Sequence, residues 1–246
     1  MNTLEATSSA MVWIEKGRAA SVLMGKLSAG ANTLPLLHVD DAFLVAEKPA
    51  GLLCVPGRGP DKQDCLASRI QQQVPDALVV HRLDMATSGL WLMARGAEMQ
   101  RRLSRSFAER AVHKRYVAVV AGRLELPADT VDGWAQIDLP LLADWPNRPR
   151  RIVDLQRGKP SLTRWRVLAH DAAGGTTRVE LEPVTGRSHQ LRVHLLALGH
   201  PILGDALYAP EAVLAQSPRL LLHASALHLA HPATGAGMAF DSPPPF

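Results

Sequence analysis

A short helix with almost no wet side constrains this chain more than any other feature. In TGRSHQLRVHLLALGHPILGD, Thr185 to Asp205, the pair Thr185-Gly186 reads as a turn, Ser188 as an N-cap and Gly199 as a C-terminal stop, with a helix between them. At about 100° per residue, Leu191, Leu195 and Leu198 share one flank, Leu196 lies farther round, and Val193 and Ala197 cover the back. A helix apolar nearly all the way round belongs in a core, so the rest of the chain has to enclose it. Arg192 falls between Leu195 and Leu196 on the same wheel, and an unpaired guanidinium there would cost several kcal/mol or more. It needs a carboxylate.

The stretch HRLDMATSGL, His81 to Leu90, offers one. Asp84 follows the apolar run Ala77 to Val80 and precedes Thr87-Ser88-Gly89 and a second apolar run, Leu90 to Ala94, so it should sit in a loop between two buried strands. Taken alone, Asp84 could merely organise its turn, since Asp, Ser and Gly are ordinary turn residues. The buried guanidinium changes that reading. Asp84 is chosen as its partner over Asp205 or Asp138, because two stranded charges resolve each other.

The chain has 246 residues, enough for one large domain or two small ones, and 47% of them are hydrophobic, which excludes disorder throughout. Lys and Arg outnumber Asp and Glu by 27 to 23, and a pI of about 9.4 allows a polyanionic partner without demanding one. Cys54 and Cys65 have neither metal-ligand spacing nor the numbers for a disulfide framework, so they read as free thiols in a reducing compartment. No secretory leader or membrane-spanning run is visible, and a cytoplasmic protein is expected. Residues 1–34 are rich in Ala, Ser, Gly and Thr without sustained periodicity and read as a mobile arm, with a short helix near Met11 to Lys16.

From Pro35 the pattern tightens. Strands are predicted over Leu36 to Val39 and Phe43 to Glu47, joined at Asp40-Asp41, and over Leu52 to Val55; a helix follows over Asp64 to Val74, ended by Pro75. Ala97 to Arg110 reads as an amphipathic helix with Met99, Leu103 and Phe107 inward. Its arginines at 101, 102, 105 and 110 are either a solvated face or phosphate contacts. Lys114 to Gly122 is a strand with Tyr116, Ala118 and Val120 on one side; Tyr116 is a core aromatic unless that side faces a cleft. DWPNRPRR, Asp144 to Arg151, can be neither helix nor inner strand, and its arginines beside Trp145 suit phosphates and exposed bases or a stiffened structural loop. Leu162 to Ala169 and Thr176 to Pro183 alternate, with Arg164, Arg166, Arg178, Glu180 and Glu182 on wet faces. His189, His194 and His200 stand five and six apart with no accompanying Glu, which is poor spacing for a metal.

In chain order, HRLDMATSGL, the KRYVAVVAG strand, the GRSHQLRVH helix, GHPILGD and the closing RLLLHASAL resemble the RluA family of RNA pseudouridine synthases. The likeness spans about Leu36 to Phe246; the arm before it is too short and too poorly patterned for an S4-type RNA-binding domain. The resemblance implies an α+β catalytic domain over residues 35–246 with the pseudouridine synthase fold, a long mixed, mainly antiparallel sheet with flanking helices and loops and a central RNA-binding cleft. It implies no cofactor and no metal. The partner it implies is RNA, large-subunit ribosomal RNA and/or the tRNA anticodon stem-loop, with no membrane, no obligatory protein partner and a monomeric enzyme. By motif, Asp84 is the carboxylate that works while uracil is detached from ribose at N1, turned and rejoined through C5. Tyr116 stacks on the base and helps remove the C5 proton, and Arg192 partners Asp84. Arg82 enters the stack as the nucleotide leaves it, and Leu222 lines the base pocket. His81, Thr87, Arg187 and His189 flank these motifs and, with Arg148 of the DWPNRPRR loop, are expected to bind substrate. A non-catalytic RNA-binding or ribosome-assembly factor that retains the cleft is the alternative from another class.

Overall fold

A computed structural model describes residues 36–246 except 129 and 131. The expected arm over residues 1–34, its short helix and the domain boundary lie outside the described residues. Strands β1 (Leu36–Val39) and β2 (Phe43–Lys48) form the first hairpin, closed by the Asp40 carboxylate, which accepts from the N–H groups of Ala42 and Phe43. β2 is buried on both faces. Phe43 and Val45 join one apolar cluster with Leu90, Leu92 and Leu103, while Leu44 and Ala46 join another with Ile70, Trp91 and Met93.

Leu52 to Val55 is not a strand. Leu53 makes a single bridge to Cys65, and the carbonyls of Leu53 and Cys54 accept the N–H groups of Leu66 and Ala67 instead. Those two donors open helix α1 (Leu66–Gln71), shorter than expected and capped by the Cys65 sulfur, which accepts from the Ser68 N–H at 3.4 Å. The unpaired amides of a helix start have taken the acceptors a strand would have used. Strands β3 (Ala77–Val79) and β4 (Ser88–Arg95) then bracket the Asp84 loop as the apolar runs suggest.

Helix α2 (Gly96–Ala108) buries Leu103 and half-buries Met99 and Phe107. In its basic row Arg101 and Arg102 both pair with Glu98 on the exposed face, while Arg110 lies just beyond the helix end. Beyond it come β5 (His113–Ala121), β6 (Ala135–Asp138) and a separate hairpin of β7 (Leu141–Ala143) with β8 (Arg151–Val153), whose tip, residues 144–150 of DWPNRPRR, is exposed from Trp145 to Arg150. β9 (Leu162–Asp171) and β10 (Thr176–Pro183) alternate as their sequence demands, with Thr163, Trp165, Val179 and Leu181 buried. Helix α3 (Gln190–Ala197) packs against them, and β11 (Leu222–Ala230) and β12 (Gly237–Asp241) close the chain.

Ten strands make one sheet in the order β1-β2-β4-β11-β5-β10-β9-β6, with β3 added to β4 and β12 to β11. Only β4 and β11 run parallel, pairing Ser88 with His223 and Gly89 with Ala224; the other pairings among the described strands are antiparallel. The result is a mixed, mainly antiparallel sheet of α+β type. At α3, Leu191, Val193 and Leu195 are buried as the wheel requires, but Ala197 and Leu198 face outward. Ser188 is not the N-cap either. His189 holds that position with φ 58°, and the Gln190 side chain accepts the Arg187 N–H instead.

Candidate active site

The Asp84 loop is pinned by groups that are themselves buried. Lys48 is fully buried, and its ammonium donates to the carbonyls of Pro49, Leu52 and Met85 at 2.8, 2.7 and 2.9 Å. Burial pulls its pKa down to about 8, while the Cys54 thiol and Asp84 pull it back up. The Leu83 N–H donates to the Cys54 sulfur at 3.2 Å, so this cysteine anchors the loop. Thr87 closes the turn by donating its N–H to the Asp84 carbonyl at 3.1 Å. At the far end the Ser88 hydroxyl bonds Nδ1 of His223 at 2.9 Å and takes a hydrogen from Arg219.

Arg192 is buried in α3, but the partner it binds most closely is not the one expected. Its Nε and Nη2 fork onto Asp205 at 2.7 and 2.5 Å, and Asp205 is 1% exposed. Asp84 Oδ2 takes the remaining edge of the guanidinium, 3.6 Å from Nη1. Asp205 wins because it is the carboxylate that cannot reach water: once buried it requires a bidentate cation, whereas the Asp84 side chain keeps 21% of its surface. Asp205 Oδ1 also accepts from the N–H groups of Leu207 and Tyr208. The cation that faces Asp84 is therefore held in place from behind.

These groups open onto a cleft of about 500 Å³, within the range of small-molecule sites, about 300–1,000 Å³. It is lined by His81, Arg82, Asp84, Tyr116, Arg187, His189, Arg192 and Leu222, which brings eight of the ten expected residues together. Three neighbouring strands deliver five of them, through the loop before β4, Tyr116 on β5, and Leu222 at the start of β11 opposite Ala118, while Arg187, His189 and Arg192 come from α3 and the turn that leads into it. Tyr116 lies where two apolar clusters meet and faces the cleft, not a closed core. Burial first, then Asp84 and Cys54, push its phenol well above the ordinary value, so the hydroxyl keeps its proton.

The other two expected residues stand apart from the cleft. Thr87 is buried behind the loop, because the turn that presents Asp84 turns its neighbour inward. Arg148 stacks on Trp145, 4.2 Å from the ring centroid, at the exposed tip of the β7–β8 hairpin. His81 lines the cleft with Nε2 engaged: it accepts from the Leu92 N–H at 3.1 Å, and the ring stacks on Phe107. Burial pushes its pKa down to about 3, so it is a neutral wall.

Sequence reasoning missed Lys114 and Tyr208, and for Arg110 it left solvation and phosphate contact both open. Lys114 shares a strand face with Tyr116 two residues on and lines the same cleft, so strand alternation could have found it. Arg110 reaches the cleft from a left-handed turn, φ 61°, just beyond α2. Tyr208 had no signal in the sequence beyond being the second of two tyrosines. The three histidines of the α3 region go to separate partners: His189 to Tyr208, His194 to Thr163 and the Leu139 carbonyl, His200 to the Ala121 carbonyl. Among the described residues no helix is long and apolar enough to cross a membrane.

The cleft opens on a mixed sheet, is mostly basic, and holds one acid against a buried arginine. The family model described as RNA pseudouridylate synthase matches residues 42–197, more than half of the sequence, and the chain belongs to that family: it is an RNA pseudouridine synthase, an isomerase acting on RNA. Among curated relatives it is 50% identical over 213 residues to the dual-specificity RNA pseudouridine synthase RluA of Escherichia coli (strain K12), covering 87% of this chain and 94% of the relative. It is 47% identical over 205 residues to the protein of that name from Yersinia pestis, covering 83% and 96%. Among solved structures, human RNA pseudouridylate synthase domain containing 1 superposes with a TM-score of 0.71 at 29% identity, over 89% of this chain and 87% of that one. Human RNA pseudouridylate synthase domain containing 4 gives 0.66 at 25% identity, over 85% and 88%.

Proposed function

We propose that residues 35–246 form the catalytic domain and that Asp84, Tyr116 and Arg192 carry the reaction on a uridine extruded from structured RNA. The observation that supports this is the Asp84 carboxylate, set in the cleft 3.6 Å from a guanidinium that Asp205 already neutralises. Arg192 orients Asp84 while its own charge is met by Asp205, which leaves the Asp84 side chain to face a sugar–base bond that becomes polar as it opens. The N1–C1′ bond breaks, C5 bonds to C1′, the C5 proton leaves and N1 gains one, so the RNA keeps its mass. Tyr116 stacks on the detached base. Because its phenol is held protonated, it can accept the C5 proton only as its own hydroxyl proton passes to water, from which N1 gains one.

Arg82, Arg110, Lys114 and Arg187 line the cleft with Asp84 as the one acid among the lining residues, a balance that suits phosphates on both sides of an extruded nucleotide. Leu222 supplies an apolar wall, and Arg82, beside the loop, is placed to fill the gap in the stack. His81 and His189 complete the wall of the cleft, Arg187 the basic rim, and Thr87 acts through the turn behind Asp84. Arg148 and Trp145, outside the cleft, form a stacking tip for an exposed base. The substrates are large-subunit ribosomal RNA and the tRNA anticodon stem-loop, a pair consistent with the dual specificity in the relatives' name. The enzyme works in the cytoplasm as a monomer with no obligatory protein partner.

Pseudouridine mapping across ribosomal RNA and tRNA from cells with and without this protein tests activity and names the substrate together. Asp84→Asn should abolish the mapped sites while the purified variant still binds the RNA. Full conversion by that variant would remove Asp84 from its role. A non-catalytic RNA-binding factor would leave the map unchanged, and a nucleoside hydrolase would release free uracil.

A further inference from the structure

We propose that Tyr208 locks the imidazole of His189 in the tautomer that carries its proton on Nε2, so that a neutral N–H faces the oxygen of Asp84 that Arg192 does not hold. His189 is thus a positioning residue for the carboxylate. The inference rests on the reading of Asp84 as the catalytic acid.

The Tyr208 ring is buried, and its hydroxyl lies between two groups. The backbone N–H of Arg151 donates to the phenolic oxygen at 2.8 Å, and Nδ1 of His189 lies 2.6 Å away. A backbone N–H can only donate, so the phenol's single proton is free for the imidazole. Directed at Nδ1, it makes that nitrogen an acceptor and leaves the ring proton on Nε2. Nε2 faces Asp84 Oδ1 at 3.9 Å, while Arg192 Nη1 lies 3.6 Å from Oδ2. The carboxylate is flanked on both oxygens, by a charged guanidinium on one and a neutral imidazole on the other, each just beyond hydrogen-bond distance.

Two further observations agree. His189 sits at the start of α3 with φ 58°, a left-handed conformation that a non-glycine residue holds only at some cost, and one that local packing must over-determine. The surroundings also oppose a second positive charge. Burial first, then Arg192 and Arg151, lower the imidazole's affinity for a proton, against the pull of Asp84 and Asp205. The Arg192 and Arg150 guanidiniums lie 4.9 and 5.6 Å from the Tyr208 ring centroid, yet burial raises the phenol above its ordinary value, so it keeps the proton that it donates.

Nitrogen NMR of imidazole-labelled full-length protein reads the tautomer directly, with the His189 resonances assigned by their loss in His189→Gln. The expected spectrum has a protonated Nε2 and a hydrogen-bonded, unprotonated Nδ1, and Tyr208→Phe should mix the tautomers. Conversion is measured on total RNA from cells lacking the protein. His189→Gln, whose amide N–H stands where Nε2–H stood, should lose less activity than His189→Asn, which should lower kcat on the order of 10- to 100-fold, the usual effect of removing an orienting partner, with KM little changed. A ring proton on Nδ1 in the wild type, an unmoved tautomer in Tyr208→Phe, or equal activity of the Gln and Asn variants would each overturn the lock. Full conversion by Asp84→Asn would instead withdraw the carboxylate's role and the lock's purpose with it, so the two failures are distinguishable.

Discussion

Asp84 and Asp205 compete for one guanidinium, and burial decides between them. Arg192→Ala strands Asp205, which is 1% exposed and accepts both of its strong charge-assisted bonds from that side chain. The loss should be roughly 3–5 kcal/mol, the cost of breaking a buried pair from one side. Asp84→Ala leaves the Arg192–Asp205 fork intact and removes a partly exposed carboxylate at 3.6 Å, so it should cost less than about 1 kcal/mol while ending turnover. Urea unfolding of the two variants tests this ordering; equal losses would mean that Asp84 is the structural partner. At this scale the need for a carboxylate was legible in the apolar wheel around Arg192. Its identity was not, because spacing along a chain says nothing about which of three aspartates loses its water.

The element on which the site's geometry depends is the parallel pairing of β4 with β11, the one place where the Asp84 loop and the Leu222 strand are bound side by side. Gly89 makes that approach possible. It has φ 109°, and a Cβ on it would lie 2.3 Å from the Ala224 carbonyl oxygen and 2.6 Å from its nitrogen, contacts with backbone that cannot move aside. Gly89→Ala should destabilise the protein by about 4 kcal/mol or more, combining backbone strain with a lost strand contact, and should lower pseudouridine formation in whatever fraction still folds. A variant of native stability and activity would show that the pair can part. Elements with a clear period were readable: β9 and β10 alternate, and α2 shows its Met99, Leu103 and Phe107 stripe. Leu52 to Val55 failed because its composition is that of a strand while its carbonyls serve a helix start. β11 and β12 were read only as a motif or not at all, since their place in the sheet comes from strands far away in sequence.

At the scale of the whole molecule, folding traps several imidazoles in their neutral form. Burial is the first cause that lowers His81, to about 3, and that lowers His189, His194, His223 and His228. Between an unfolded value of about 6.5 and these lower native values the unfolded chain binds more protons, so stability rises with pH through that window. It is fully present above about 6.5 and is lost as the solution becomes acid. Urea midpoints should therefore fall between pH 7.5 and pH 5. An unchanged midpoint would mean that these rings are protonated in the native state. The basic lining of the cleft predicts RNA affinity that falls steeply with salt, and replacing both Arg110 and Lys114 by Gln should flatten the slope by about two phosphate contacts. An unaltered slope in a filter-binding titration would assign those cations to solvation.

By itself the sequence determined the local facts: an acid in a turn between buried strands, a helix that had to be enclosed, two strands with one wet face, and motifs specific enough to set the family. Those follow from periods of a few residues and from the cost of burying polar groups, which a linear chain records. Only the tertiary structure decided that Asp205 rather than Asp84 takes the fork of Arg192, that Tyr208 rather than a neighbour in sequence governs His189, and that Thr87 turns away from the cleft. Each is a contest among several possible partners, settled by distance in space and by which group is denied water, and neither quantity exists until the strands have paired.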